Sequence, residues 1–119
     1  MTDVTKLIDR YIAMWNETDP DARRDLIAGS WTEAGLYVDP LQRGEGHDGI
    51  DIMVAAVQDR FPTHRFRRTS DVDAHNDVLR FNWELAEEGQ VPLVKGLDVG
   101  LLAGDRLANI TGFLDQVPG

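Results

Sequence analysis

At Pro62 the hydrophobic pattern of the chain switches from a helical period to strict alternation, and few architectures accommodate both halves. Before the switch, Val4, Leu7, Ile8, Tyr11 and Trp15 share one helical face, and Ile50, Met53, Val54, Val57 and Phe61 repeat the same spacing. Between these two helices, Thr18-Asp19-Pro20 ends the first and starts a short second one, with Asp19 as cap and Pro20 in the first helical position. Ala22, Leu26 and Ile27 are its apolar residues, and Gly29 lies near its stop. Asp48 is placed to cap the third helix, and Pro62 stops it. Gly35 to Pro40 reads as a strand closed by proline, and Leu41 to Gly46 as a polar loop forming a lip.

After Pro62, Leu79, Phe81, Trp83 and Leu85 alternate with Arg80, Asn82 and Glu84. Leu93 to Leu102 and Arg106 to Leu114 are further strands, joined by a tight turn at Ala103-Gly104-Asp105. His64 to Val72 is also extended, with a turn at His75-Asn76-Asp77. The expected fold class is α+β: three N-terminal helices packed on a strongly curved antiparallel sheet, with a pocket between the layers. A length of 119 residues suits one domain, residues 1–119.

Composition narrows the function classes. Basic residues number 12 against 21 acidic, a formal charge of −9, which disfavours nucleic acid and anionic membrane as partners. Cysteine is absent and histidine occurs three times (His47, His64, His75), so no thiolate site or histidine-rich metal site is expected. Neither a targeting segment nor a membrane-length apolar run is visible, which gives a soluble, cytoplasmic protein as the expectation. Arg65, Arg67 and Arg68 alternate between strand faces and read as partners for the many carboxylates.

Three polar residues stand where apolar ones belong. Tyr11 lies on the buried face of the first helix, and alone reads as a core tyrosine whose hydroxyl finds a partner. Asp39 closes a strand before proline, and alone reads as a turn aspartate bonding its own backbone. Asp98 interrupts Leu97-Asp98-Val99-Gly100-Leu101-Leu102, where a carboxylate is poorly suited and costly to bury unpaired. It stands evenly between a group on the solvent face and a buried group with a function.

Taken together, these residues give the chain a resemblance to the nuclear-transport-factor-2-like (SnoaL-like, cystatin-like cone) superfamily, closest in motif to ketosteroid isomerase. Arg10-Tyr11-Ile12 resembles the segment bearing that enzyme's oxyanion-hole tyrosine. Val38-Asp39-Pro40 resembles the segment of its general-base aspartate. Asp98-Val99, followed by the Gly104-Asp105-Arg106-Leu107 turn, resembles the strand of its protonated aspartic acid. Trp31 and Val54 stand where the isomerases carry supporting tyrosines. In the hydrolase branch of the superfamily an Arg and an Asp sit two apart on one strand, whereas here Arg80 is followed by Asn82, on the outer face.

The resemblance implies a conical pocket and proton transfer next to a carbonyl, as an isomerase or a polyketide-cyclase-like enzyme. Asp39 is then the base, and Tyr11 and Asp98 donate hydrogen bonds to the developing enolate oxygen. If Asp98 points inward, alternation puts Phe81, Trp83, Leu85, Ile110 and Leu114 on the same concave face, with Trp15 and Val54 closing it from the helices. No metal and no organic cofactor are expected, and the ligand is expected to be apolar and cyclic. A homodimer is also implied, with Leu97, Val99 and Leu101 on the covered outer face. The alternative is a non-catalytic binding or assembly domain of the same fold.

Overall fold

Helix α1 (Val4–Asn16) starts where the Asp3 carboxylate accepts from the Lys6 N–H at 3.1 Å, and buries Leu7, Ile8, Tyr11, Met14 and Trp15. The computed structural model describes residues 2–118. Helix α2 (Pro20–Ser30) begins as expected, with Pro20 in its first turn and Asp19 capping the Ala22 N–H at 3.0 Å. Helix α3 (Gly46–Arg60) differs from expectation. Asp48 is not its cap: the cap position falls three residues earlier, at Glu45, because Gly46, at φ +72°, turns the chain directly out of the preceding strand. Asp48 lies in the first turn instead, where its charge suits the helix dipole, and pairs with Arg24 at 2.8 Å.

A buried cation ties the three helices together. The Arg23 guanidinium bonds Asp51 at 2.6 Å, the Glu17 carbonyl at 3.0 Å and Gln58 Oε1 at 3.0 Å. Gln58 in turn donates to the carbonyls of Trp15 (3.1 Å) and Glu17 (2.7 Å). The network satisfies carbonyls at the end of α1.

The strands are β1 (Trp31–Val38), β2 (Arg43–Glu45), β3 (Arg65–Arg68), β4 (Asp73–His75), β5 (Val78–Ala86), β6 (Val94–Ala103) and β7 (Arg106–Gln116). They form one sheet in the order β2-β1-β7-β6-β5-β3, with β4 also pairing β5. The fold is α+β, three helices on one sheet, as the pattern predicts. The sheet is mixed rather than wholly antiparallel, because β1 runs parallel to β7, which α3 and the later strands make possible as a long crossover. Strand β1 begins at Trp31, four residues before the alternation shows, and a register shift between Trp31 and Leu36 hides its periodicity. The loop expected at 41–46 contains the short strand β2.

The segment expected to be extended from His64 to Val72 is broken. Between β3 and β4 the Ser70 hydroxyl accepts from the Asn82 N–H at 2.8 Å, taking the place of a backbone carbonyl in the ladder. Asn76 at φ +53° and Gly104 at φ +65° make the two tight turns where they were expected. Arg67 pairs with Glu84 and Arg68 with Asp9, as expected, whereas Arg65 has no carboxylate within 4.0 Å among the described residues. Arg80 is exposed on the outer face and pairs with Asp73 at 2.9 Å. No helix among the described residues is long and apolar enough to cross a membrane.

Candidate active site

The cross-strand register places the site. Phe81, Asp98 and Gly112 face one another across β5, β6 and β7, and Trp83, Gly96 and Leu114 form the next row. Asp98 therefore points to the helix side, where it is 3% exposed. A Cβ at Gly96 would fall inside the Trp83 indole and 2.7 Å from the Phe113 carbonyl oxygen, so only glycine lets that ring lie flat across β6. Lying there, Trp83 Nε1 donates to Asp98 Oδ1 at 3.0 Å. The Tyr11 hydroxyl, brought over the sheet by α1, donates to Asp98 Oδ2 at 2.7 Å.

Asp39 follows β1 and holds a turn. Its Oδ1 accepts from the N–H groups of Leu41 (2.8 Å) and Gln42 (3.1 Å). Its Oδ2 accepts from the Tyr37 hydroxyl at 2.7 Å and from Gln42 Nε2 at 3.3 Å. The two carboxyl groups approach each other beside Gly112. A Cβ there would lie 2.9 Å from Tyr37 Oη, 3.0 Å from Asp98 Oδ1 and 3.1 Å from Asp39 Cβ. Tyr37 thus donates to Asp39 and lies near Asp98.

These groups open onto a cavity of about 270 Å³ between helices and sheet. Tyr11, Asp39 and Asp98 all line it, and so do Trp15, Trp83, Leu85 and Leu114. Val54, Phe81 and Ile110, expected on the same wall, are instead packed in the core behind it. Alternation gives the face of a strand, but not how deep along the cone a side chain lies. Phe81 has a different position to fill: its ring packs edge-on against Tyr11 at 5.9 Å between centroids. Trp31 packs on the same ring, also at 5.9 Å, so aromatic packing holds Tyr11 where the isomerase pattern has a chain of tyrosines.

Reading from sequence missed Tyr37, along with the wall residues Ile12, Phe61 and Phe66. For Tyr37 a signal was present, because residues two apart on a strand share a face and Tyr37 precedes Asp39 by two. It also missed that Tyr11 and Asp98 bond each other in the free site.

The electrostatics follow from burial. Desolvation raises the Asp98 carboxyl from 3.8 to about 7, against the hydrogen bonds from Tyr11 and Trp83, with the Asp39 charge adding to the rise. Burial, and then the nearby Asp98 charge, push the Tyr11 and Tyr37 hydroxyls above the usual tyrosine range, so both remain neutral donors. Among the described residues no group of three side chains is placed to hold a metal ion.

No family model and no curated protein matches the chain. Solved structures do. A candidate isomerase of the SnoaL-like family from Agrobacterium tumefaciens str. C58 is 38% identical, with a TM-score of 0.88 over 93% of this chain and 96% of that one. The chain belongs to the SnoaL-like family. Within the wider fold, a candidate polyketide cyclase from Sinorhizobium meliloti is 13% identical, with a TM-score of 0.70 over 90% of this chain and 93% of that one. A protein with a ketosteroid isomerase-like fold from Catenulispora acidiphila, in complex with trimethylamine, is 16% identical, with a TM-score of 0.70 over 94% of this chain and 85% of that one. At these identities the last two show that the SnoaL-like chain shares their fold, and no more.

Proposed function

We propose that this SnoaL-like protein catalyses proton transfer next to a carbonyl in an apolar, cyclic small molecule. The observation that carries the reading is a pair of carboxyl groups in one cavity with unlike surroundings. Asp39 accepts from four polar donors, while Asp98 is desolvated and raised to about 7. Acid and base are divided between two carboxyl groups in this way when one is kept neutral to donate.

In the proposed step, Asp39 Oδ2 takes a proton from the carbon α to the carbonyl. The C–H electron pair moves into the enolate, and negative charge develops on the oxygen. Oδ2 becomes free for this by releasing Gln42, its longest contact at 3.3 Å. The enolate oxygen sits beside Tyr11 and protonated Asp98. It takes one hydrogen bond from each, in place of the one they make to each other in the free site. In a β,γ-unsaturated ketone, Asp39 then returns the proton to the γ-carbon and the conjugated isomer forms. The aromatic wall excludes water and favours the neutral form of Asp98.

Asp39→Asn should leave ligand binding intact and lower turnover of cyclohex-3-en-1-one to its conjugated isomer by about 10²–10⁴-fold. Absorbance of the conjugated enone reads the rate, and unchanged turnover removes Asp39 as the base. The rival reading, a binding domain without catalysis, is favoured by the closed hydrogen-bond pairing at both carboxyls. It gains if the wild type binds the ketone and moves no proton. We also infer that a second copy of the chain covers the outer sheet face, where Leu101 (48% exposed) and Phe113 (50% exposed) extend the stripe of Leu97 and Val99.

A further inference from the structure

Among the described residues, the cavity lining includes one cation, Arg60. Arg60 ends α3, lines the cavity and is exposed, whereas Tyr11 and Asp98 at the closed end are buried. Its guanidinium lies 5.4 Å from the centre of the Phe61 ring, itself a wall residue, within reach of a cation–π contact. Among the described residues no carboxylate comes within 4.0 Å of it, although the chain has 21 acidic residues and pairs most of its other arginines. The remaining charged groups on the wall are Asp39 and Asp98, and the space between them and Arg60 is lined mainly by apolar and aromatic side chains. In a molecule of net charge −9, Arg60 is the charged residue of the cavity lining that attracts an anion.

We propose that Arg60 selects a ligand bearing a carboxylate, held at the mouth, while the ligand's carbonyl or enolate oxygen lies beside Tyr11 and Asp98. The substrate class is then a cyclic keto acid rather than a neutral ketone. The placement of the carbonyl end rests on the proton-transfer reading above, and the role of Arg60 does not. A planar guanidinium suits the assignment, since it can bond both oxygens of a carboxylate while one face stays on the ring. The competing role for Arg60 is a cation at a helix C-terminus, which needs no ligand.

Titration of the whole protein with 2-naphthol and with 6-hydroxy-2-naphthoate separates these roles, because the two probes differ only in the carboxylate. At low ionic strength the wild type should bind the naphthoate about five-fold more tightly, the most an exposed ion pair usually adds, and salt should erase the difference. Arg60→Gln should abolish the preference and leave 2-naphthol affinity unchanged, and Arg60→Lys should keep part of it. Equal binding of both probes by the wild type overturns the proposal, as does a preference that survives in Arg60→Gln or a failure of both probes to bind. Failure of the proton-transfer reading shows separately, as a naphthol spectrum that does not respond to Asp98→Asn while the Arg60-dependent preference persists.

Discussion

Asp98 shows how one residue links sequence, fold and chemistry. An aspartate inside an apolar strand is legible as an anomaly, and the structure shows it buried with two donors, Tyr11 and Trp83. Its raised pKa makes a stability prediction. Between about 4 and about 7 the folded protein holds a proton on Asp98 that the unfolded chain releases, so stability falls as pH rises through that window and levels off above it. A rise from 3.8 to about 7 corresponds to a few kcal/mol. Asp98→Asn should remove this slope, so urea denaturation at pH 5 and pH 8 should show the variant gaining on the wild type at the higher pH. A difference independent of pH would mean that Asp98 is charged in the folded state across the range. Tyr37 carried a signal in its two-residue spacing to Asp39, but the register shift earlier in β1 hides which face of the strand is buried. The convergence of Tyr37, Asp39 and Asp98 beside Gly112 depends on the pairing of β6 with β7 and of β1 with β7, which no local pattern contains.

At the scale of elements, what could be read followed from local chemistry. Asp19 and Pro20 start α2 as a cap and a first-turn proline do anywhere, and the alternation of Leu79 to Leu85 defines β5 without help from its neighbours. What could not be read depended on contacts across the fold. Strand β1 is placed by its parallel ladder to β7, the break after β3 by the Ser70 hydroxyl meeting Asn82, and the start of α3 by the turn at Gly46. The glycines of β6 and β7 belong to the same class. Gly96 exists for the Trp83 ring, and the backbone oxygen of Phe113 cannot yield to an added methyl. Gly96→Ala should therefore cost about 3 kcal/mol by urea denaturation, at the upper end for an overpacked core. It should also shift tryptophan emission as Trp83 leaves Asp98. A wild-type melt and spectrum would show that the sheet accommodates the methyl and that Trp83 is not held by this contact.

At the scale of the whole molecule, the sheet has two different faces. The inner face carries the core and the cavity, and the outer face presents Leu97, Val99, Leu101 and Phe113 beside Arg80 and Asn82. Apolar stripes of this kind are covered in stable proteins, and a second copy brings the same stripe through two-fold symmetry. Sedimentation at micromolar concentration should give about twice the 13.3 kDa of the chain, and Phe113→Asp should move the population to the monomer. A wild-type species at 13.3 kDa would refute this assembly. The acid excess lies on the surface, whereas in the cavity burial raises the Asp98 carboxyl to about 7 and Asp39 is enclosed by donors.

In the proposed mechanism, Tyr11 and the neutral form of Asp98 together stabilise negative charge on a ligand oxygen. Binding of 2-naphthol, an aromatic alcohol that mimics an enolate, tests it most directly through the absorbance of the bound ring as pH is varied. A pH-dependent spectral shift is expected on binding to the wild type, and loss of that shift in Asp98→Ala. Equal binding with the same spectrum in both proteins would contradict it and remove Asp98 from the mechanism.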